Sequence, residues 1–149
     1  MKERQTDMIE IRVVETEEDY RLSYAIRTEV FVVEQKVAAD READQYERTA
    51  ESLLVLLDGR PVGTGRWRVD NGMAKLERVC VLRECRGLGI GQMIIRALED
   101  RARQAGVSRA KLHGQTHAEA FYTGLGYQPS SGAFMEEGIE HRLMVRELD

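Results

Sequence analysis

The residue types best suited to chemistry in this chain gather around one glycine-rich turn, Val79-Cys-Val-Leu-Arg83-Glu-Cys-Arg86-Gly87-Leu88-Gly89-Ile90-Gly91. A strand-like run precedes it and an apolar helical period follows it, so the local order is strand, turn, helix. Glycines at 87, 89 and 91 let backbone N–H groups crowd toward a ligand without interference from Cβ. The helix that opens there brings the positive end of its dipole to the same place. Together these features make a site for phosphate or pyrophosphate. Arg86 adds a charged clamp, and Arg83 offers a second cation. The spacing G-x-G-x-G departs from the G-x-G-x-x-G of dinucleotide-binding folds, and the G-K-[ST] of a Walker A loop is absent.

The elements around the turn can be read from hydrophobic periodicity. Residues 9–15 alternate as a strand does. Thr16 offers an N-cap to a helix carrying Leu22, Ala25, Ile26, Val30 and Val33 on one face. Residues 34–50 are polar and read as a loop or a short irregular helix. Ser52–Leu57, Pro61–Val69 and Met73–Val81 read as three successive antiparallel strands, turned at Asp58-Gly59 and at Asn71-Gly72. After the glycine turn, Ile90, Met93, Ile94, Ala97, Leu98, Ala102 and Ala105 line one face of a helix that Gly106 ends. Arg109–Leu112 reads as a strand, His117–Leu125 as a helix and Glu140–Arg146 as a last strand. The order β-α-β-β-β-α-β-α-β predicts an α/β fold, with a mixed, mostly antiparallel sheet and helices on both faces.

Composition bounds the function. The 149 residues suit one domain, and 42% hydrophobic residues suit one packed core. Net charge is −4, from 22 basic and 26 acidic residues, which argues against nucleic acid or an anionic membrane as partner. No apolar run reaches the roughly 18 residues of a membrane span, and MKERQTDMIE lacks the apolar core of a secretory signal. Cys80 and Cys85 are the only cysteines, and they read as reduced thiols in a cytoplasmic protein. His113 and His117 stand four apart, but Gly114 and a strand-to-helix change intervene, so no metal site is expected.

Arg86-x-x-Gly89-x-Gly91 resembles the R/Q-x-x-G-x-G/A motif of the GNAT superfamily, the Gcn-five-related N-acetyltransferases. A second block, Gln115-Thr-His117-Ala118-Glu-Ala-Phe121-Tyr122-Thr-Gly-Leu125-Gly126-Tyr127, resembles the family's N-x-x-A-x-x-F-Y-x-x-L-G-F/Y signature, with Gln in place of Asn. The strand order is similar to the family's over nearly the whole chain. Arg27-Thr-Glu-Val-Phe31-Val-Val-Glu34-Gln35 and Gly138-Ile-Glu-His141-Arg-Leu-Met144 are similar to the small bacterial YjcF/ElaA-like branch.

The resemblance implies acetyl-CoA as donor and a primary amine of a small molecule or peptide as acceptor. The amine must lose a proton, the thioester oxygen must be stabilised and the leaving thiolate protonated. The implied cofactor site uses Arg86, Gly87, Leu88, Gly89, Ile90 and Gly91 for the pyrophosphate. Backbone of Val79 and Val81 would hold the pantetheine arm as an added strand, helped by a bulge that splays the sheet. Gln115, His117, Phe121 and Tyr122 would close the site. Tyr122 is the expected general acid, since a phenol near pKa ~10 can protonate a thiolate near ~8.5. Glu77 is the expected base, with a water relay or a structural ion pair to Arg78 or Arg66 as the competing readings. His141 is expected to cap a core strand or to line the acceptor pocket. The five carboxylates between Glu34 and Glu47 favour a cationic amine. Homodimer formation is left open. A regulatory acyl-CoA-binding module on the same fold is the alternative function, and it would need neither Tyr122 nor Glu77.

Overall fold

The computed structural model describes residues 8–148. The elements in chain order are β1 (Ile9–Val13), α1 (Glu17–Arg27), a π-helical segment (Thr28–Glu34), α2 (Ala39–Glu42), β2 (Glu51–Leu57), β3 (Arg60–Asp70), β4 (Met73–Val81), α3 (Ile90–Gln104), β5 (Arg109–Gln115), α4 (Glu119–Gly124), β6 (Gln128–Pro129), β7 (Phe134–Glu136) and β8 (Ile139–Glu147). The sheet order is β1-β2-β3-β4-β5-β8-β6, with β7 also paired to β8. Among the described residues only β4 and β5 run parallel, and every other pair is antiparallel.

The two hairpins follow from turn chemistry. Asp58 and Gly59 have φ of 52° and 82°, and Asn71 and Gly72 have 52° and 77°. Two successive left-handed residues match the twist of the flanking strands. Thr16 caps α1 by accepting from the Asp19 N–H at 3.0 Å.

Strand alternation divides the apolar side chains between two layers. Leu53, Val55, Leu76, Ala110, Leu112 and Met144 face α3, where Ile90, Ile94, Ile95 and Leu98 complete the main core. Leu54, Leu56 and Cys80 face Ile26 and Val30 on the opposite side. Fully burying one such aliphatic side chain is worth about 1.5–3 kcal/mol. Gly65 lets α3 sit close, since a Cβ there would lie 2.7 Å from Ile94 Cγ2.

Three expectations need correction. The first helix does not continue regularly to Val33: from Thr28 it widens to π geometry, with the Gln35 N–H bonding Val30 O. The wider turn changes the phase, so Val30 stays buried while Val33 is exposed. On α3, Ile95 and Glu99 are buried and Ala105 is not. The short strands β6 and β7 had no periodicity to announce them, and β5 runs on to Gln115.

Candidate active site

The site begins at a defect in β4. Arg66 pairs with Glu77 and Thr64 with Cys80, so β4 spends one extra residue against β3. Arg78 takes the strain at φ 57°. Such a bulge bends the strand. The parallel pairing of β4 with β5 covers only Ala74–Leu76 against Ala110–Leu112. Beyond it the strands are no longer paired, and a cleft of about 860 Å³ opens between them. Every predicted site residue lines this cleft except Leu88, which is half exposed on the turn.

One side of the cleft is a strand edge. The Leu82 N–H bonds Val62 O on β3 at 2.9 Å. Alternation therefore turns the N–H and C=O of Val81 away from β3, toward the cleft. The Val81 carbonyl already accepts from Arg86 Nε at 3.0 Å, and Val79 beside it lies in the bulge, out of regular register with β3.

The glycine turn has the geometry of an anion cradle. Gly87 and Gly89 stand at φ 86° and 82°, where a side chain would be strained. Gly89 is the N-cap of α3 and no side chain caps that helix. Its first N–H groups thus remain for an external acceptor. Gly91 has ordinary φ, but a Cβ there would meet Phe121 Cζ at 3.6 Å, which brings α4 against the cradle. Arg86 is not idle: it makes a bidentate pair with Glu34 at 2.6 and 2.7 Å.

Tyr122 sits on the α3 side of β5. Its hydroxyl carries no hydrogen bond among the described residues, and burial raises its pKa above the ordinary phenol value. Gly114 makes room for it, since a Cβ at 114 would lie 3.0 Å from Tyr122 Cδ2. Phe121 and Tyr127 pack edge-on against the ring at 5.1 and 6.5 Å. Tyr127 is anchored in turn: its hydroxyl donates to buried Glu99 at 2.8 Å, which also accepts from Arg146 at 2.6 Å. Gln115 donates to Gln35 at 3.0 Å and accepts from His117 at 2.6 Å.

Glu77 does not present itself as a free base. Arg66, Arg68 and Lys75 lie within 3.1, 3.1 and 3.3 Å of its carboxylate. Burial pushes its pKa up, but Arg68 and the neighbouring cations outweigh burial and hold it below the ordinary value. A carboxylate so paired accepts a proton poorly. The ion-pair reading fits through Arg66; Arg78 instead reaches Glu42 and Asp44.

The acidic stretch is also spoken for. Glu34 pairs with Arg86, Glu42 with Arg27, Asp44 with Arg66 and Glu47 with Arg27. Four of its five carboxylates neutralise arginines, which removes the charge argument for a cationic acceptor. Cys80 and Cys85 are buried free thiols, and burial raises the Cys80 pKa.

Gly114, His113 and Glu136 were not expected in the site. His113 and Glu136 line the cleft, with His113 Nδ1 donating to Glu136 Oε1 at 2.8 Å. His141 lines it too, its Nδ1 donating to Ile139 O at 2.7 Å while its ring stacks on Phe134. The alternation of polar and apolar residues in 109–115 could have placed His113 on the face opposite Gly114. Nothing local tied it to Glu136.

A mixed sheet splayed beside an uncapped helix, with a glycine cradle and a tyrosine across the gap, defines a class of acyl-CoA-using enzymes. The family model for the acetyltransferase (GNAT) domain matches residues 14–148, and the chain belongs to the GNAT acetyltransferase family. It is 43% identical over 141 residues to the Bacillus subtilis protein YyaT, covering 93% of this chain and 95% of the relative. It is 40% identical to the B. subtilis N-acetyltransferase YjcF, over 91% of this chain and 97% of the relative. Among solved structures, Escherichia coli ElaA superposes with a TM-score of 0.81 at 26% identity, over 94% of this chain and 100% of ElaA. An acyl-CoA N-acyltransferase from Pseudomonas aeruginosa also gives 0.81 at 26% identity, over 92% of this chain and 99% of that one.

Proposed function

We propose that this protein transfers an acetyl group from acetyl-CoA to a primary amine of a small molecule or peptide, by direct attack while both substrates are bound. The observation that carries the reading is the coincidence, in one cleft, of the unpaired β4 edge, the uncapped α3 N-terminus and Tyr122. These parts fit CoA. The amides of Gly87–Gly91 would hold the pyrophosphate with Arg86, while Leu88 contributes its backbone only. The edge at Val79 would pair with the pantetheine amides, and its N–H would serve the thioester oxygen. Acetyl-CoA supplies an activated acyl group and a thiolate leaving group.

Tyr122 supplies the proton to the departing sulfur. Burial raises its pKa, which keeps the phenol protonated until the sulfur departs. Glu77 serves as a charged hub that fixes Arg66, Arg68 and Lys75 at the acceptor end, and not as the proton acceptor. The buried free thiols support a reducing, cytoplasmic setting. A regulatory acyl-CoA-binding module would have no use for an unbonded tyrosine hydroxyl at the cleft.

Thermal denaturation with CoA, ATP and NAD tests the donor. CoA should raise the melting temperature by mass action while the two nucleotides do not. Equal shifts with all three would point to a general nucleotide site and sink the reading.

A further inference from the structure

We propose that His113, oriented by Glu136, is the general base that takes the proton from the attacking amine. This rests on the acetyl-transfer reading above and assigns a residue to the step that Glu77 cannot serve.

The argument starts from alternation along β5. Ala110, Leu112 and Gly114 face α3, and Gly114 makes room for Tyr122. Lys111, His113 and Gln115 therefore face the other side. His113 and Tyr122 thus flank the splayed gap from opposite faces of the same strand. An amine approaching the thioester from one face and a sulfur leaving toward the other need that separation.

The partner of His113 fixes its chemistry. Glu136 accepts from Nδ1 at 2.8 Å, which places the neutral ring's proton on Nδ1 and leaves Nε2 with a lone pair. Phe134 packs edge-on against the ring at 5.1 Å and holds its plane. The β7–β8 hairpin that carries Phe134 and Glu136 thus supports the imidazole on two sides. His113 is partly exposed, at 29% of its side chain, so Nε2 can reach a substrate and solvent.

The step balances. The amine lone pair attacks the thioester carbon, a C–N bond forms and the π pair moves to oxygen. The nitrogen gives its proton to His113 Nε2. Collapse breaks the C–S bond, and the sulfur leaves with the pair and takes the Tyr122 proton. His113 returns its proton to solvent and the Tyr122 phenolate regains one. The net change converts an amine and acetyl-CoA to an amide and free CoA thiol.

The groups facing this histidine are Glu136 on β7, His141 on β8, and Lys75 and Glu77 on β4, with Lys111 on its own strand. Of these groups only Glu136 bonds the ring nitrogen.

The test is CoA release from acetyl-CoA with spermidine, glucosamine and a lysine-containing peptide as acceptors. It compares wild type, His113→Gln and Glu136→Gln from about pH 6 to about pH 9.5, with CoA binding measured alongside. His113→Gln should lower kcat about a hundredfold, leave CoA affinity unchanged and abolish the acid limb of the wild-type profile. Glu136→Gln should lower kcat by a smaller factor with CoA affinity unchanged, because an amide can hold Nδ1 as donor or as acceptor and no longer fixes one tautomer. NMR of the imidazole nitrogens checks the arrangement without turnover: the neutral ring of His113 should carry its proton on Nδ1 in wild type. A His113→Gln enzyme within about twofold of wild type and with the same acid limb would overturn the assignment, as would an Nε2–H tautomer. No turnover by wild type with any acceptor counts against acetyl transfer itself, whereas turnover untouched by His113→Gln counts against the histidine alone.

Discussion

Glu34 grips the Arg86 guanidinium with both carboxylate oxygens, at 2.6 and 2.7 Å, beside the glycine turn of Gly87–Gly91. The two residues are 52 positions apart, and Arg83 lies 3.6 Å from the same carboxylate. A pyrophosphate arriving at the α3 N-terminus must share Arg86 with an anion already bound to it. On the proposed reading, Glu34 would weaken CoA binding while it pre-orients the cation.

Two substitutions separate these effects. Glu34→Gln removes the competing charge and should tighten CoA binding by about threefold, the scale of a partly exposed ion pair. Arg86→Glu, or Gly89→Asp at φ 82°, should abolish the gain in melting temperature that CoA gives. Calorimetric titration with CoA checks the first, and a weaker Glu34→Gln complex would show that the carboxylate only orients Arg86. A wild-type response in either of the other variants would mean the phosphate site lies elsewhere.

Tyr122→Phe should lower kcat tenfold or more, on the order of 1.4 kcal/mol, with CoA affinity unchanged. Its hydroxyl makes no hydrogen bond among the described residues, so its removal should leave stability nearly intact. An unchanged kcat would reduce the ring to packing against Gly114 and Phe121.

Glu77→Gln should lower activity by the same factor at every pH and lower the melting temperature as well. Removing the charge leaves Arg66, only 2% exposed as a side chain, and Arg68 without their shared partner. Breaking a buried pair of this kind costs about 3–5 kcal/mol, and the glutamine amide recovers part of that. The ratio of kcat/KM between wild type and variant, followed across pH, checks this. Convergence of the two curves at high pH would restore Glu77 as the base.

The arginine-carboxylate network behind the cleft makes stability depend on pH. Burial raises the Glu47 pKa, but hydrogen bonds from Arg27, the Asp44 amide and Tyr20 outweigh it and bring it to about 2 from an ordinary 4.5. A folded pKa below the unfolded one gives stability that is full above the unfolded value and is lost as pH falls through the folded one. The contribution, about 2–3 kcal/mol, should fade between about pH 4.5 and 2. Urea unfolding of wild type and Glu47→Gln should show the two stabilities approaching each other over that window. A constant gap would assign Glu47 a role other than its charge.

What the sequence made legible was what short-range chemistry encodes. Asn71-Gly72 and Asp58-Gly59 could only be tight turns, and their left-handed φ values agree. The apolar period of α3 and the glycines before it located the turn and the start of the helix at Ile90. Harder features depend on distant partners. The Arg78–Val79 bulge has no glycine or turn signal, because Arg78 is held at positive φ by bonds to the Glu42 carbonyl and Asp44. The π-helical segment keeps the composition of a regular helix. Glu77 stayed open between a base and an ion pair with Arg78 or Arg66, because Arg66 and Arg68 reach it only through strand pairing. His113 met Glu136 through β7, a strand three residues long with no alternation to betray it.

Acyl transfer itself is tested most directly by incubating the protein with acetyl-CoA and a mixture of primary amines, while free CoA thiol and acylated amine are quantified together. The two products should appear in equal amounts, only when an amine is present, and both should fall together in Tyr122→Phe. Thiol without acylated amine would mark a thioester hydrolase, and neither product with CoA still bound would mark a regulatory module; either result would contradict acetyl transfer to an amine.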